Sequence, residues 1–136
     1  MARVHYRLFY HFVWSTWDRE PLLVGQIEHE AYALIQSACK THNAEVHALG
    51  GVANHVHLLV SLPRTLLIPD FMETVKGMSS KVLNDTHGSL TWSFKWQGGY
   101  GVDTVSLSHL KRLREYIGNQ KQHHASNTLW TNCEPD

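Results

Sequence analysis

At 136 residues, with 43 % hydrophobic and 18 % charged side chains, the chain has the length and composition of one globular domain, 1–136, rather than of a disordered or fibrous protein. Twelve basic residues balance twelve acidic ones, which argues against a grip on long duplex DNA by phosphate neutralisation alone. No apolar run approaches the roughly 18 residues of a membrane span and Met1 to Tyr6 lacks a signal-peptide core, so no membrane partner is expected. Cys39 and Cys133 form no motif and fit reduced thiols in a cytoplasmic protein.

Val4 to Ser15 is rich in aromatic and β-branched residues and is predicted to be a strand. Both its faces carry apolar side chains, as in a strand central in a sheet. Ile27, Ala31, Leu34, Ile35 and Ala38 recur at helical spacing and predict a helix from about Gln26 to Thr41. Two strands follow, Glu45 to Val52 and His55 to Leu62, joined tightly near Ala53-Asn54. Gly50-Gly51 in the first predicts either a bulge or a point where another backbone comes close.

Pro69 opens a second helix with Phe71, Val75, Met78 and Val82 as its stripe, and Gly88 lies beyond its end. Gly77 inside that helix costs about 1 kcal/mol relative to alanine, so packing or ligand contact is expected to require it. An aromatic arm with Trp92, Trp96 and Tyr100 leads into a short strand, Tyr100 to Val105. Ser106 or Ser108 is expected to cap a last helix running from Leu107 to about His124. Its predicted buried stripe is Leu110, Leu113, Arg114 and Ile117, with Tyr116 at the margin, and the tail from Ala125 onward is expected to be loosely ordered. The element order gives an α+β, ferredoxin-like (RRM-like) four-stranded antiparallel sheet with helices on one face, plus an extra C-terminal helix. In that topology the first strand and the His55 strand are central.

His55 and His57 are the first candidates for chemistry. Side chains alternate along a strand, so the two imidazoles share a face and can approach one divalent cation. On the last helix Tyr116 and Gln120 stand one turn apart. A tyrosine hydroxyl can attack a phosphodiester if a cation draws charge off the phosphate, and Gln120 can offer an amide oxygen as third ligand. The same residues admit a non-catalytic reading, a ferredoxin-like sheet that binds single-stranded nucleic acid on its aromatics. A zinc-hydrolase reading fares worse, because no further His, Asp or Glu stands at a suggestive spacing. Lys76, Lys81, Trp96 and Arg112 are candidate DNA contacts; Arg112 lies in a local basic stretch between Ser106 and His124 with Lys111, Arg114 and Lys121.

His55-Val56-His57 resembles the histidine-hydrophobic-histidine (HUH) motif of single-tyrosine nucleases. Tyr116-Ile117-Gly118-Asn119-Gln120 with His123-His124 is similar to the tyrosine helix of insertion-sequence-200-like transposases and of REP-associated tyrosine transposases. Tyr10 to Arg19, Lys76 to Ser80 and Trp96 to Gly101 agree with the same family in order and spacing. The resemblance implies a DNA transposase that cleaves hairpin-flanked single-stranded DNA and joins it through a 5′-phosphotyrosine, with Mg²⁺ or Mn²⁺ as cofactor. It implies Tyr116 as nucleophile, His55 and His57 as metal ligands, and Gln120 or the adjacent Asn119 as the third. It further implies a homodimer in which the tyrosine of one chain serves the histidines of the other.

Overall fold

The computed structural model describes residues 3–135. The elements are β1 (Phe9–Ser15), α1 (Gly25–Thr41), β2 (Glu45–Val52), β3 (His55–Ser61), α2 (Ile68–His87), β4 (Gly101–Val105), α3 (Leu110–Gly118) and α4 (Gln120–Ala125). Short 3-10 turns lie at Trp17–Arg19, Leu107–His109 and Thr131–Cys133. The sheet is antiparallel in the order β2-β3-β1-β4, so the two expected strands are indeed central.

Alternation along β1 and β3 divides the molecule into two apolar regions. Phe12, Trp14, Val56, Leu58 and Val60 face α1 and α2, where Ala31, Ile35, Phe71 and Val75 close the main core. Leu59, with Phe9 and Ala48 at its edges, faces α3 through Leu113, Tyr116 and Ile117. The histidines lie on this second face, beneath the added helix. Among the described residues no helix is long and apolar enough to cross a membrane.

Several expectations are corrected. β1 begins at Phe9 rather than Val4, because β4 ends opposite Phe9 and the β3 ladder ends opposite Tyr10; earlier residues have no strand to pair with. The β2 bulge falls between Val46 and Ala48, not at the glycines. Gly50 instead meets the alternative expectation, since a Cβ there would collide with the backbone carbonyl of Ile117 on α3. Gly77 has open space where a Cβ would stand, so no packing contact requires it. Neither Ser106 nor Ser108 caps α3, whose N-cap is His109 with no side-chain bond. The expected single last helix is broken at Asn119 (φ −111°, ψ 26°), where the weak helix formers Gly118 and Asn119 meet. The tail is not loose as far as Pro135: it crosses the face that carries the histidines and delivers Glu134 to them.

Candidate active site

β3 supplies His55 and His57, and their shared strand face turns both rings towards α3. The buried stripe of α3 is rotated from the expected one. Leu113, Tyr116 and Ile117 are buried, with Gln120 following at the start of α4, whereas Arg114 is exposed and donates its Nε–H to the His47 carbonyl at 3.1 Å. Tyr116 is therefore central in the stripe rather than marginal, with 1 % of its surface exposed. Its ring centroid lies 6.2 Å from that of His57 at a right angle. The tyrosine thus lies beside the histidines of its own chain.

Sequence reasoning missed the group at the centre. Glu134 accepts a hydrogen bond from the Tyr116 hydroxyl at 2.6 Å through Oε2. Its Oε1 lies 3.1 Å from His55 Nε2 and 2.8 Å from His124 Nε2. His57 Nε2 is 3.2 Å from Oε2 but not aligned for a hydrogen bond, which leaves it buried and without a partner. Gln120 is buried beside them, with its amide nitrogen 3.4 Å from Oε2 and its amide oxygen 3.1 Å from His124 Nε2. Its oxygen therefore serves His124, and ligation through oxygen requires the amide to turn. Asn119 sits at the helix break, is exposed, and its side chain bonds to no member of the cluster; the expected substitute ligand is outside the site.

The electrostatics follow from this crowding. Burial opposes ionisation of Glu134, but its contacts with His55, His57 and Tyr116 outweigh it and hold the carboxyl well below the usual range. Burial lowers the pKa of His57, and the nearby His55 and His124 add to that effect against Glu134. His11 on β1 is pushed down to about 4, chiefly by burial and then by His57. Burial and the bond to Glu134 push the Tyr116 phenol up to about 12.

The donor set suits a divalent cation. His55, His124 and Glu134 offer ligand atoms that all lie within 4.8 Å of one another. His55 faces an acceptor at each nitrogen, Asn54 Oδ1 2.8 Å from Nδ1 and Glu134 Oε1 3.1 Å from Nε2. With Nδ1–H held by Asn54, Nε2 is the nitrogen a cation would take in place of the proton shared with Glu134. A cation taking the place of that proton would lie between imidazole and carboxylate and be attracted by both. The buried Nε2 of His57, 3.2 Å from Oε2 and without a hydrogen bond, faces the same place.

The candidate DNA contacts mostly have other work. Trp96 is buried in the main core and donates its indole N–H to Ser79 Oγ at 2.9 Å, so it presents no face to a base. Lys76 donates to the carbonyls of Gln97 and Gly99 at 2.7 and 2.8 Å, pinning the glycine loop to α2. Lys81 is exposed and paired with Asp85. Arg112 places its guanidinium 5.8 Å from the Trp130 ring centroid. A cleft of about 580 Å³ does adjoin Glu134, lined by Arg19, Tyr100 and Asp103 among others.

Fold and site together define a ferredoxin-like α+β domain with a tyrosine-bearing helix laid over a histidine-bearing strand. The chain belongs to the IS200-like transposases: residues 4–120 match the family described as "Transposase IS200 like". It is 27 % identical over 124 residues to the transposase for insertion sequence element IS200 of Salmonella typhimurium, covering 88 % of this chain and 81 % of that one. It is 29 % identical over 119 residues to the ISDra2 transposase TnpA of Deinococcus radiodurans, covering 85 % of each. A transposase crystal structure from Deinococcus radiodurans superposes with a TM-score of 0.69 at 26 % identity, over 88 % of this chain and 96 % of that one. A REP-associated tyrosine transposase bound to a REP hairpin shares the fold, with a TM-score of 0.66 at 14 % identity over 91 % and 74 %.

Proposed function

We propose that the chain cleaves and rejoins single-stranded, hairpin-flanked DNA through a covalent bond to Tyr116. The observation that carries this reading is convergence: the Tyr116 hydroxyl and the Nε2 atoms of His55, His57 and His124 all meet at the Glu134 carboxylate. A carboxylate held there marks a place where a phosphate's oxygens can be received.

In the proposed reaction the Tyr116 oxygen forms a bond to phosphorus while the bond to the 3′ oxygen breaks. The phenol proton is given up and the departing 3′ oxygen takes one, leaving a 5′-phosphotyrosine and a free 3′-hydroxyl. Attack by a 3′-hydroxyl on that phosphotyrosine reverses the step, restores the phenol and joins strands without an external energy source. Mg²⁺ or Mn²⁺, held by His55 and His57 with Gln120, would neutralise charge on the phosphate. His124 and Glu134 are further donors within reach. Tyr116 is a poor nucleophile as it stands, since burial and Glu134 hold its proton, and the tail covers it. DNA therefore reaches it only after the tail lifts.

The preference for unpaired or hairpin DNA is supported by the balanced net charge and by a REP-associated tyrosine transposase of the same fold solved with a REP hairpin. Tyr116 lies beside the histidines of its own chain, which supports a site assembled by a single copy, with a homodimer sharing its sites as the alternative. Incubation with end-labelled hairpin DNA and Mn²⁺ tests the proposal. A covalent adduct on the parent, absent from Tyr116→Phe, is expected. Binding without any adduct would leave the non-catalytic nucleic-acid-binding module as the function.

A further inference from the structure

His57 does not stand alone beneath α3. His11, on β1, is its diagonal cross-strand neighbour: Val13 pairs with His57 and His11 with Leu59, which puts all four side chains on one face. The two rings lie 5.2 Å apart and 21° from parallel, and His11 Nε2 is 2.9 Å from His57 Nδ1. Both are buried, His11 with 3 % of its surface exposed and His57 with none.

One of those two nitrogens donates and the other accepts. If His11 donated, the Nδ1 of a neutral His57 would be bare and its Nε2 would carry the proton, so that the atom facing the cluster could bind no cation. If His57 donates from Nδ1, its Nε2 is a lone pair directed at the site. Buried with no hydrogen-bond partner of its own, that atom can serve a cation only in the second arrangement. That arrangement also repeats what Asn54 does for His55, whose Nδ1 it engages at 2.8 Å. Each histidine of the pair thus has its inner nitrogen held by a neighbour.

The geometry points to His11 as a positioning residue of the candidate metal site: by accepting the Nδ1–H of His57 it fixes the tautomer and ring orientation that present Nε2 to a divalent cation. The inference rests on the metal site proposed above. It concerns a residue on a different strand, within β1. Partners of this kind typically change metal affinity by about 10–100-fold when removed.

Two substitutions separate the hydrogen bond from packing. His11→Gln keeps an acceptor, since a glutamine Oε1 reaches about as far as an imidazole Nε2; His11→Leu fills the space without one. Mn²⁺ binding to the DNA-free protein is followed by loss of the free-ion electron paramagnetic resonance signal, with His57→Ala as reference and circular dichroism melts for folding. Binding by the parent, its loss in His57→Ala, near-parental affinity in His11→Gln and about 10–100-fold weaker binding in His11→Leu are expected. Failure of the parent to bind, or parental binding by His57→Ala, overturns the metal site itself. With those controls in order, parental affinity in His11→Leu, or equal weakening in both His11 variants, overturns the positioning role alone. Should His11→Leu not fold, nitrogen-15 spectra of the parent decide: His57 protonated at Nδ1 is expected, and protonation at Nε2 overturns the inference.

Discussion

The indole of Trp130 lies flat on the phenol of Tyr116, with ring centroids 4.3 Å apart and planes 14° from parallel, while the Trp130 backbone N–H donates to the same phenol oxygen at 3.0 Å. Four residues later Glu134 accepts a hydrogen bond from that hydroxyl. The tail therefore engages the tyrosine by ring face, by acceptor and by donor at once. Removing residues 128–136 should expose the ring and free the hydroxyl. Nitration of Tyr116 by tetranitromethane should be slow in the full chain and several-fold faster in the shortened one, with adduct formation on hairpin DNA rising in parallel. A shortened chain that gains nitration but loses the adduct would mean that Glu134 belongs to the working ligand set.

Acid should weaken the fold, because His11, His57 and Glu134 are all shifted downwards. His11 is lowered from 6.5 to about 4, so below 6.5 the unfolded chain takes up a proton that the folded chain refuses. Its contribution is complete above 6.5 and is lost as pH falls towards about 4. His57 is lowered too and acts in the same direction. The depressed Glu134 carboxyl contributes above its unfolded value of 4.5 and its share is lost below that. For His11 alone the ceiling is about 3 kcal/mol. Thermal melts should show Tm falling between pH 7 and 4.5, with a shallower fall in His11→Gln. A parent profile flat across that range would contradict the assignment.

Gly50 and Gly77 make opposite predictions from one substitution. Gly50→Ala drives a methyl into the Ile117 carbonyl, so α3 must shift; about 1–3 kcal/mol of destabilisation and loss of most adduct formation are expected. Gly77→Ala meets nothing within 4 Å inside a helix and should raise stability by about 1 kcal/mol. Urea denaturation of the two variants measures both.

These comparisons show what a sequence of this kind discloses. Periodicity located all four strands and the first two helices, because alternation and the helical stripe are local consequences of burying one face. Arg114 falls in phase with Leu110 and Ile117 in a stripe count, yet it is exposed and its guanidinium bonds the His47 carbonyl at the surface, so the buried stripe of α3 lies elsewhere. Glu134 was out of reach altogether. It meets His55 across 79 residues of chain, through a tail whose turn residues carry no periodic signal, and no ligand spacing rule extends that far. His11 was visible as a polar member of the β1 face, but its pairing with His57 depends on register, which only the fold supplies.

The last prediction concerns whether one chain suffices. α3 is anchored to its own sheet at two independent places: Leu113, Tyr116 and Ile117 bury against Leu59, and the Ile117 carbonyl fits over Gly50. The link from β4 is only the short turn Leu107–His109, which favours folding back locally over reaching a second chain. Two inactive proteins test this. A Tyr116→Phe chain keeps its histidines, and a His55→Ala/His57→Ala chain keeps its tyrosine. If each site is built within one chain, every site in the mixture lacks a part, and no cleavage should appear at any ratio of the two. If helices are exchanged in a homodimer, a mixed pair contains one intact site, and cleavage returns with the adduct on the histidine-deficient chain, identified by a size tag. We expect silence from the mixture while the parent at equal concentration forms its adduct; an adduct on the tagged, histidine-deficient chain would overturn the single-chain site.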